Sequence, residues 1–398
     1  MINKYKEFLN QTNNQIAASI LTLADIIKQK LNNIPDPVPE PTSIPDPKPI
    51  PEQPKFPISK EIIPKLGPNN KELKISDENI DVSNLRSQLQ DGDHVLFERG
   101  KTFKGVFGEL LSGTDESDFV IGSFGNGDIP APTFICPPQE VFFTNFKASR
   151  KNIFIQDLEI IADRPNQETG DSALECLSGI NRLIIQRCVI NGFHNNLVIQ
   201  SFKGSEINNI SLINNQILNA YSFPDKGHSQ GFYGEGINGL TILGNIFDHN
   251  GWNESFDDNA TIFNHNIYLS DCNNILIEEN YIENASSIGL KFASSGSDKS
   301  NNIQVINNKF FFGEVGISMG GNAKGPNRFV NILIESNSFD EIGSTQPTHR
   351  SLSWGIDAFD IKDGIIKDNK FFNTPNFDNT FLVRLGSDNN NVTEKNNV

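Results

Sequence analysis

Cysteine is scarce, with four residues in a chain of 398, which is too few for a disulfide framework. Cys136, Cys176, Cys188 and Cys272 show no metal-ligand spacing, and Cys176 and Cys188 fall on apolar positions, so they read as buried thiols. Positive charge is also short: 33 Lys and Arg against 49 Asp and Glu leave a net charge of −16. That balance argues against nucleic acid and anionic membrane as partners. No run of about 20 apolar residues is present to span a bilayer. Residues 1–15 are polar, so no secretory leader is read there. The sequons at Asn209, Asn253, Asn259, Asn284 and Asn391 then read as chance matches in an Asn-rich chain. Runs of Ala, Leu and Glu at helical spacing are missing from residues 153–371, which excludes helical repeats. Leucine-rich repeats are shorter and need their Leu positions filled.

What is present is an eight-residue phrase, repeated eight times. It starts at Ile153, Leu183, Ile210, Leu240, Ile275, Ile303, Ile332 and Gly364, at intervals of 30, 27, 30, 35, 28, 29 and 32 residues. Aliphatics occupy its first and third positions, and a large apolar residue its eighth. The sixth runs Leu158, Cys188, Asn215, Asn245, Asn280, Asn308, Asn337, Asn369. Alternation of this kind marks a half-buried strand, and a period of this size marks a stacked solenoid. The third positions (Ile155 to Ile366) should stack about 4.8 Å apart. Stacked Asn side chains can bond along a column, and Asn tolerates the left-handed backbone of a sharp corner. Phe247, Phe310, Phe339 and Phe371 should form an aromatic shelf.

An aliphatic strand, an Asn corner and an aromatic shelf in register resemble the right-handed parallel β-helix family of pectate lyase type. The resemblance covers roughly residues 70–390, and Gly92–Gly100 resembles the entry segment, where a capping element closes the first coil. The fold class expected is all-β: a right-handed parallel β-helix solenoid with an N-terminal α-helix and a Pro-rich stalk. Residues 70–150 would be the cap and first coils, 151–390 the repeats and 391–398 a C-terminal tail.

The N-terminus is a different object. Ile2, Leu9, Ile16 and Leu23 are seven apart and Asn13 interrupts the seam, so residues 1–33 read as an amphipathic helix. Such a seam pairs in a coiled coil or docks on another protein. Residues 35–57 hold ten prolines, and 34–69 read as an extended linker about 70 Å long over its Pro-rich part.

In such a solenoid a second strand precedes each phrase. Its outward residues align as Glu175, Val198, Tyr268, Lys291, Ser318, Asp357 and Arg384, with Tyr233 or Glu235 supplying the coil between Val198 and Tyr268. A polar column suits a chain-like ligand, although a merely solvated sheet face would look the same. The longest interval, 35 residues, holds His249, Trp252, Glu254, Asp257, Asp258, His265 and Tyr268, on a loop of the kind that carries function. The run from His249 through Asn284-Ala-Ser-Ser resembles a β-helix subgroup allied to polysaccharide lyases and epimerases. The resemblance implies a His after Ala-Ser-Ser, where this chain has Ile288.

Two chemistries fit these residue types. β-Elimination at a uronate needs a base (His265 or Lys291), an acid (Tyr268) and a cation facing the carboxylate, either Lys291 or Ca²⁺ on Asp257 and Asp258. Glycoside hydrolysis needs two carboxylates, for which Glu235 with Asp257 or Asp258 are candidates. Trp252, Tyr233, His249, Asp357 and Arg384 are the candidate substrate-binding residues, with Trp252 as a sugar platform. Anchor, stalk and β-helix together resemble bacteriophage tailspike and related virion proteins. That resemblance implies a trimeric, virion- or appendage-associated protein held through residues 1–33, which binds host cell-surface polysaccharide, with its cleavage left open. The alternatives are a free polysaccharide lyase or epimerase, and a non-catalytic structural or decoration protein.

Overall fold

A computed structural model describes residues 62–164, 170–202, 204–223, 227–256, 260–294, 300–320 and 327–398. The chain divides into two units, Met1–Lys55 and Phe56–Val398, and every described residue belongs to the second. The expected helix 1–33, and the linker through residue 61, lie outside the described residues.

The repeats fold as a right-handed parallel β-helix. Each coil lays one strand on each of three parallel sheets, of twelve, ten and ten strands. Sheet 1 runs from Glu72–Ile75 to Asn390–Lys395, sheet 2 from Thr102–Lys104 to Lys370–Phe372, and sheet 3 from Gly108–Glu109 to Thr380–Leu385. The start of the repeated phrase is the end of a sheet 1 strand. Its third positions pair in unbroken register from Ile155 to Ile366 and are buried throughout. Burial of each such side chain contributes about 1.5–3 kcal/mol. The eighth positions lie on sheet 2, where the rings of Phe310, Phe339 and Phe371 stack at 4.8 Å.

Between the two sheets runs the Asn column. Each Nδ2 donates to the next Oδ1 from Asn215 to Asn397, at 2.8–3.0 Å. Each Oδ1 also accepts the backbone N–H of the Asn one coil below it. The left-handed residue of this corner, however, is the one before the phrase's sixth position: Asp157, Arg187, Asn214, Gly244, Glu279, Asn307, Ser336 and Asp368, at φ 53° to 65°. The corner is turned one residue early, which leaves the following Asn side chain pointing inward to the ladder. Left-handed Asn does occur at the residue preceding the phrase (Asn152, Asn209, Asn274, Asn302, Asn331). There a second, exposed ladder links Asn302 to Asn274 at 2.8 Å and Asn331 to Asn302 at 3.3 Å.

The N-terminal end is closed by a single-turn helix, Val82–Leu85, with Asp81 as its N-cap and Val82 and Leu85 fully buried. Behind it Phe97, Phe103, Phe134, Phe142 and Phe143 fill the first coils. Residues 391–398, expected as a tail, hold most of the last strand of sheet 1, and Asn397 ends the ladder. All four cysteines are free and buried, and burial pushes their thiols up to about 11 or 12. They are packing groups rather than nucleophiles.

Candidate functional site

Alternation on sheet 3 decides which side chains leave the solenoid. Leu174, Leu197, Phe232, Ile267, Leu290, Ile317 and Ile356 point into the core, so their neighbours point out. Register joins those neighbours into one column: Glu109, Thr144, Glu175, Val198, Tyr233, Tyr268, Lys291, Ser318, Asp357 and Arg384. Tyr233 rather than Glu235 fills the coil between Val198 and Tyr268. Glu235 pairs with Gln200 and Ser270 and accepts the Tyr233 hydroxyl at 2.8 Å.

Loops entering sheet 3 wall this column into a groove of about 780 Å³. His194, His228, Ile262, Phe263 and Arg350 form the wall above Tyr233, Tyr268 and Lys291. His228 stacks on Phe263 at 5.0 Å.

His265 opens its strand and is buried. Its backbone N–H donates to Gln230 Oε1 at 2.9 Å. Its ring meets Tyr268 edge-on, with 5.3 Å between centroids. Burial, then the charges of Lys291 and Arg350, hold the imidazole well below its ordinary pKa and therefore neutral. Tyr268 is pushed up by burial and by Glu235 and Asp271, so its phenol keeps its proton. Tyr233 is raised by burial and by its bond to Glu235. Lys291 is buried, and its Nζ donates to Ser318 Oγ at 3.0 Å and to the Gly320 carbonyl at 2.9 Å. Burial pulls it down to about 8, against the attraction of Asp357 and Asp360.

Arg350 reaches the groove from the loop before strand Ser353–Ala358. Its Nε donates to Glu314 Oε2 at 2.8 Å and its Nη2 to Ser287 Oγ at 2.6 Å. Glu314 is fully buried and also takes the Thr348 N–H and hydroxyl, so one buried acid fixes this wall. At one end of the groove, burial brings His194 down to about 4, and its Nδ1 accepts the Gly170 N–H at 3.2 Å. At the other end Arg384 lies 3.8 Å over the Trp354 ring and donates to Asp357 Oδ1 at 2.6 Å.

The structure therefore gathers His265, Tyr268, Lys291, Tyr233 and Asp357 in one groove, with Arg384 beside it. Trp252 and His249 stand elsewhere, at the corner after sheet 2. Trp252 is half-buried, donates from Nε1 to the Asn284 carbonyl at 2.8 Å and stacks on His249 at 4.9 Å. His249 contacts Glu254 at 2.5 Å and Asp248 at 3.6 Å. Asp257 and Asp258, the residues expected to ligate Ca²⁺, lie outside the described residues. Among the described residues no group of three His, Cys, Asp or Glu could hold a metal ion.

His194, His228, Arg350, Glu314 and Trp354 were not singled out by the repeat. One signal for the histidines existed: the chain has six, and His194, His228 and His265 line this groove. Ile288, where the resemblance implies a His, pairs in register with His265, one coil away in the same column.

No protein-family model and no curated protein matches the sequence. Among solved structures, the chain is similar to the Dettilon tailspike protein (gp208), with a TM-score of 0.53 and 11% identity, covering 75% of this chain and 55% of that one. The chain thus spans about half the length of that tailspike. It is also similar to a rhamnogalacturonan lyase (TM-score 0.49, 12% identity, 80% of this chain and 86% of that chain). A third similar structure is the PL6 family alginate lyase AlyGC (TM-score 0.41, 12% identity, 75% and 38%). In fold, the chain is a right-handed parallel β-helix.

Proposed function

We propose that this β-helix binds a cell-surface polysaccharide along the sheet 3 groove and cleaves it by β-elimination at a uronate. The observation that carries the reading is the meeting of three groups on two adjacent coils. A neutral imidazole, His265, stands edge-on to a protonated phenol, Tyr268, whose register partner is the buried ammonium of Lys291. His265 takes the proton from the carbon beside the sugar carboxylate. The electron pair left there forms the carbon–carbon double bond and expels the glycosidic oxygen, which receives the Tyr268 proton. Lys291, held by Ser318 and the Gly320 carbonyl, faces the carboxylate while charge builds on it. Hydrolysis finds less support, because Glu235 is already hydrogen-bonded and does not line the groove.

The setting we infer is a virion or appendage surface, with residues 1–33 docking on a partner protein or assembling the chain as a trimer. This rests on the apolar seam and the Pro-rich segment in the sequence, and a tailspike shares the fold. The test is a uronate-polysaccharide panel assayed by the ultraviolet absorbance of the unsaturated product. Wild-type protein should generate that absorbance, and Tyr268→Phe should lower the rate by about 10²–10⁴ while still binding. No product across the panel, from protein that does bind it, would leave a glycan adhesin and remove the lyase.

A further inference from the structure

The groove carries its charges unevenly. Among the described residues that line it, the cations are Lys291 and Arg350 and the carboxylates are Asp171, Glu175 and Asp357. Most of these are already matched. Arg350 is bound to Glu314, Asp357 to Arg384, and Asp171 accepts the His194 backbone N–H with Arg164 at 3.8 Å. Two are left to meet a ligand. Among the described residues Lys291 makes neutral hydrogen bonds, to Ser318 Oγ and the Gly320 carbonyl, and no ion pair, with Asp357 and Asp360 attracting it from a distance. Glu175 is half-buried and makes no hydrogen bond or ion pair among the described residues.

These two stand at fixed rungs of one column. Register runs Glu175, Val198, Tyr233, Tyr268, Lys291, so four coil steps of about 4.8 Å separate them by about 19 Å. The rungs between carry an aliphatic and two phenols, with His194 lining the same groove and His265 edge-on to Tyr268. A sugar ring in an extended chain is about as long as a coil is tall. A glycan lying along this groove therefore presents successive sugars to successive rungs.

We propose that the ligand is a heteropolysaccharide whose acidic sugars are separated by neutral ones. One carboxylate sits at Lys291, and an uncharged, hydroxyl-rich sugar donates to Glu175. A homopolyuronate places a carboxylate on every sugar and so brings one against Glu175, which has no cation partner among the described residues to screen it. The groove then discriminates by a built-in repulsion as well as by attraction. This rests on the groove being a glycan site, as proposed above, and adds the charge spacing of the glycan.

The experiment is direct binding, without turnover, of the full chain and of Glu175→Gln to polysaccharides of graded uronate density. The panel runs from polygalacturonate and alginate to glycans with one uronate among several neutral sugars per repeat, measured by affinity electrophoresis. Gln has the same shape, so the groove wall is kept and only the charge is removed. Wild type should prefer the sparse-charge glycans, and Glu175→Gln should gain about tenfold in affinity for the homopolyuronates, the effect of one carboxylate–carboxylate contact in a half-buried site. Homopolyuronates bound equally by both proteins, and as tightly as the sparse-charge glycans, would overturn this inference and leave the glycan site standing. No binding by either protein to any member of the panel would overturn both.

Discussion

Asn280→Ala cuts the inward ladder at an interior rung. The Asn280 Oδ1 accepts the Asn245 backbone N–H at 2.8 Å and Asn245 Nδ2 at 3.0 Å, while its own Nδ2 donates to the Ile242 carbonyl at 2.9 Å and to Asn308 Oδ1 at 2.8 Å. Alanine leaves the Asn245 N–H buried without an acceptor, which costs about 1–3 kcal/mol. The remaining bonds are partly replaceable, since Asn245 Nδ2 keeps the Leu212 carbonyl and Asn308 Oδ1 keeps the Asn280 N–H. Their loss adds about 1 kcal/mol, giving about 2–4 kcal/mol together. Asn397→Ala removes the same kind of rung at the half-buried end. Water can replace the lost bonds there, and the cost should stay below about 1 kcal/mol. Urea unfolding followed by far-ultraviolet circular dichroism compares the two. Hydrogen exchange at the Asn245 amide reads the same loss locally, even where coils unfold separately. Equal losses in the two variants, or an Asn245 amide still protected in Asn280→Ala, would refute the ladder as a structural support.

Two further expectations concern packing and pH. A Cβ on Gly316 would lie 2.6 Å from the Phe339 ring and 2.7 Å from the Gly355 carbonyl. Gly316→Ala should therefore destabilise by about 1–3 kcal/mol, and adding Phe339→Leu should recover only part of it, because the carbonyl remains; full recovery or no initial loss would contradict the fit. At the other corner, burial pulls the His249 imidazole down, but Asp248 and Glu254 outweigh it and its pKa stands above 6.5. Its stabilising contribution is complete below the unfolded value and is lost as pH rises through the raised folded one. Glu283, pushed up to about 7 by burial and by Asp248, works in the same direction, losing stability between its ordinary 4.5 and about 7. Thermal melts should fall in wild type from pH 4.5 upward through Glu283 and further above pH 6.5 through His249, and the fall above 6.5 should shrink in His249→Gln; an unchanged slope above 6.5 would remove His249 from the account.

The fold was legible because its determinants are local and repeated. Alternation fixes which residues of Ile275–Ile282 face the core, and the same rule on sheet 3 aligns Glu175 through Arg384 in the sequence itself, leaving only Tyr233 or Glu235 open at one coil. The left-handed residue was harder to place, because Asn occurs both at it (Asn214) and just after it (Asn215). Only the backbone tells which side chain turns inward. The groove wall was less legible still. Arg350 belongs to it because Glu314, 36 residues away, holds it there. That pairing is set by where two loops return to the solenoid, and no local periodicity encodes it. Trp252 stands apart from the groove, its indole N–H taken by the Asn284 carbonyl on the neighbouring coil.

A solenoid also explains how chemistry can drift while the fold holds. Moving a functional side chain to the same register position on an adjacent coil shifts it about 4.8 Å along the axis and leaves its direction unchanged. His265 and Ile288 are related in this way. An imidazole at 265 meets Tyr268 on its own strand, three residues along, whereas one at 288 would stand in the same relation to Lys291. The coil chosen therefore decides whether the imidazole is partnered by a phenol or by an ammonium. In this chain the buried imidazole is kept neutral beside the phenol, and the ammonium stands one rung away. A pattern match at 288 finds isoleucine and nothing more, while the register shows an imidazole one coil below, facing the same groove.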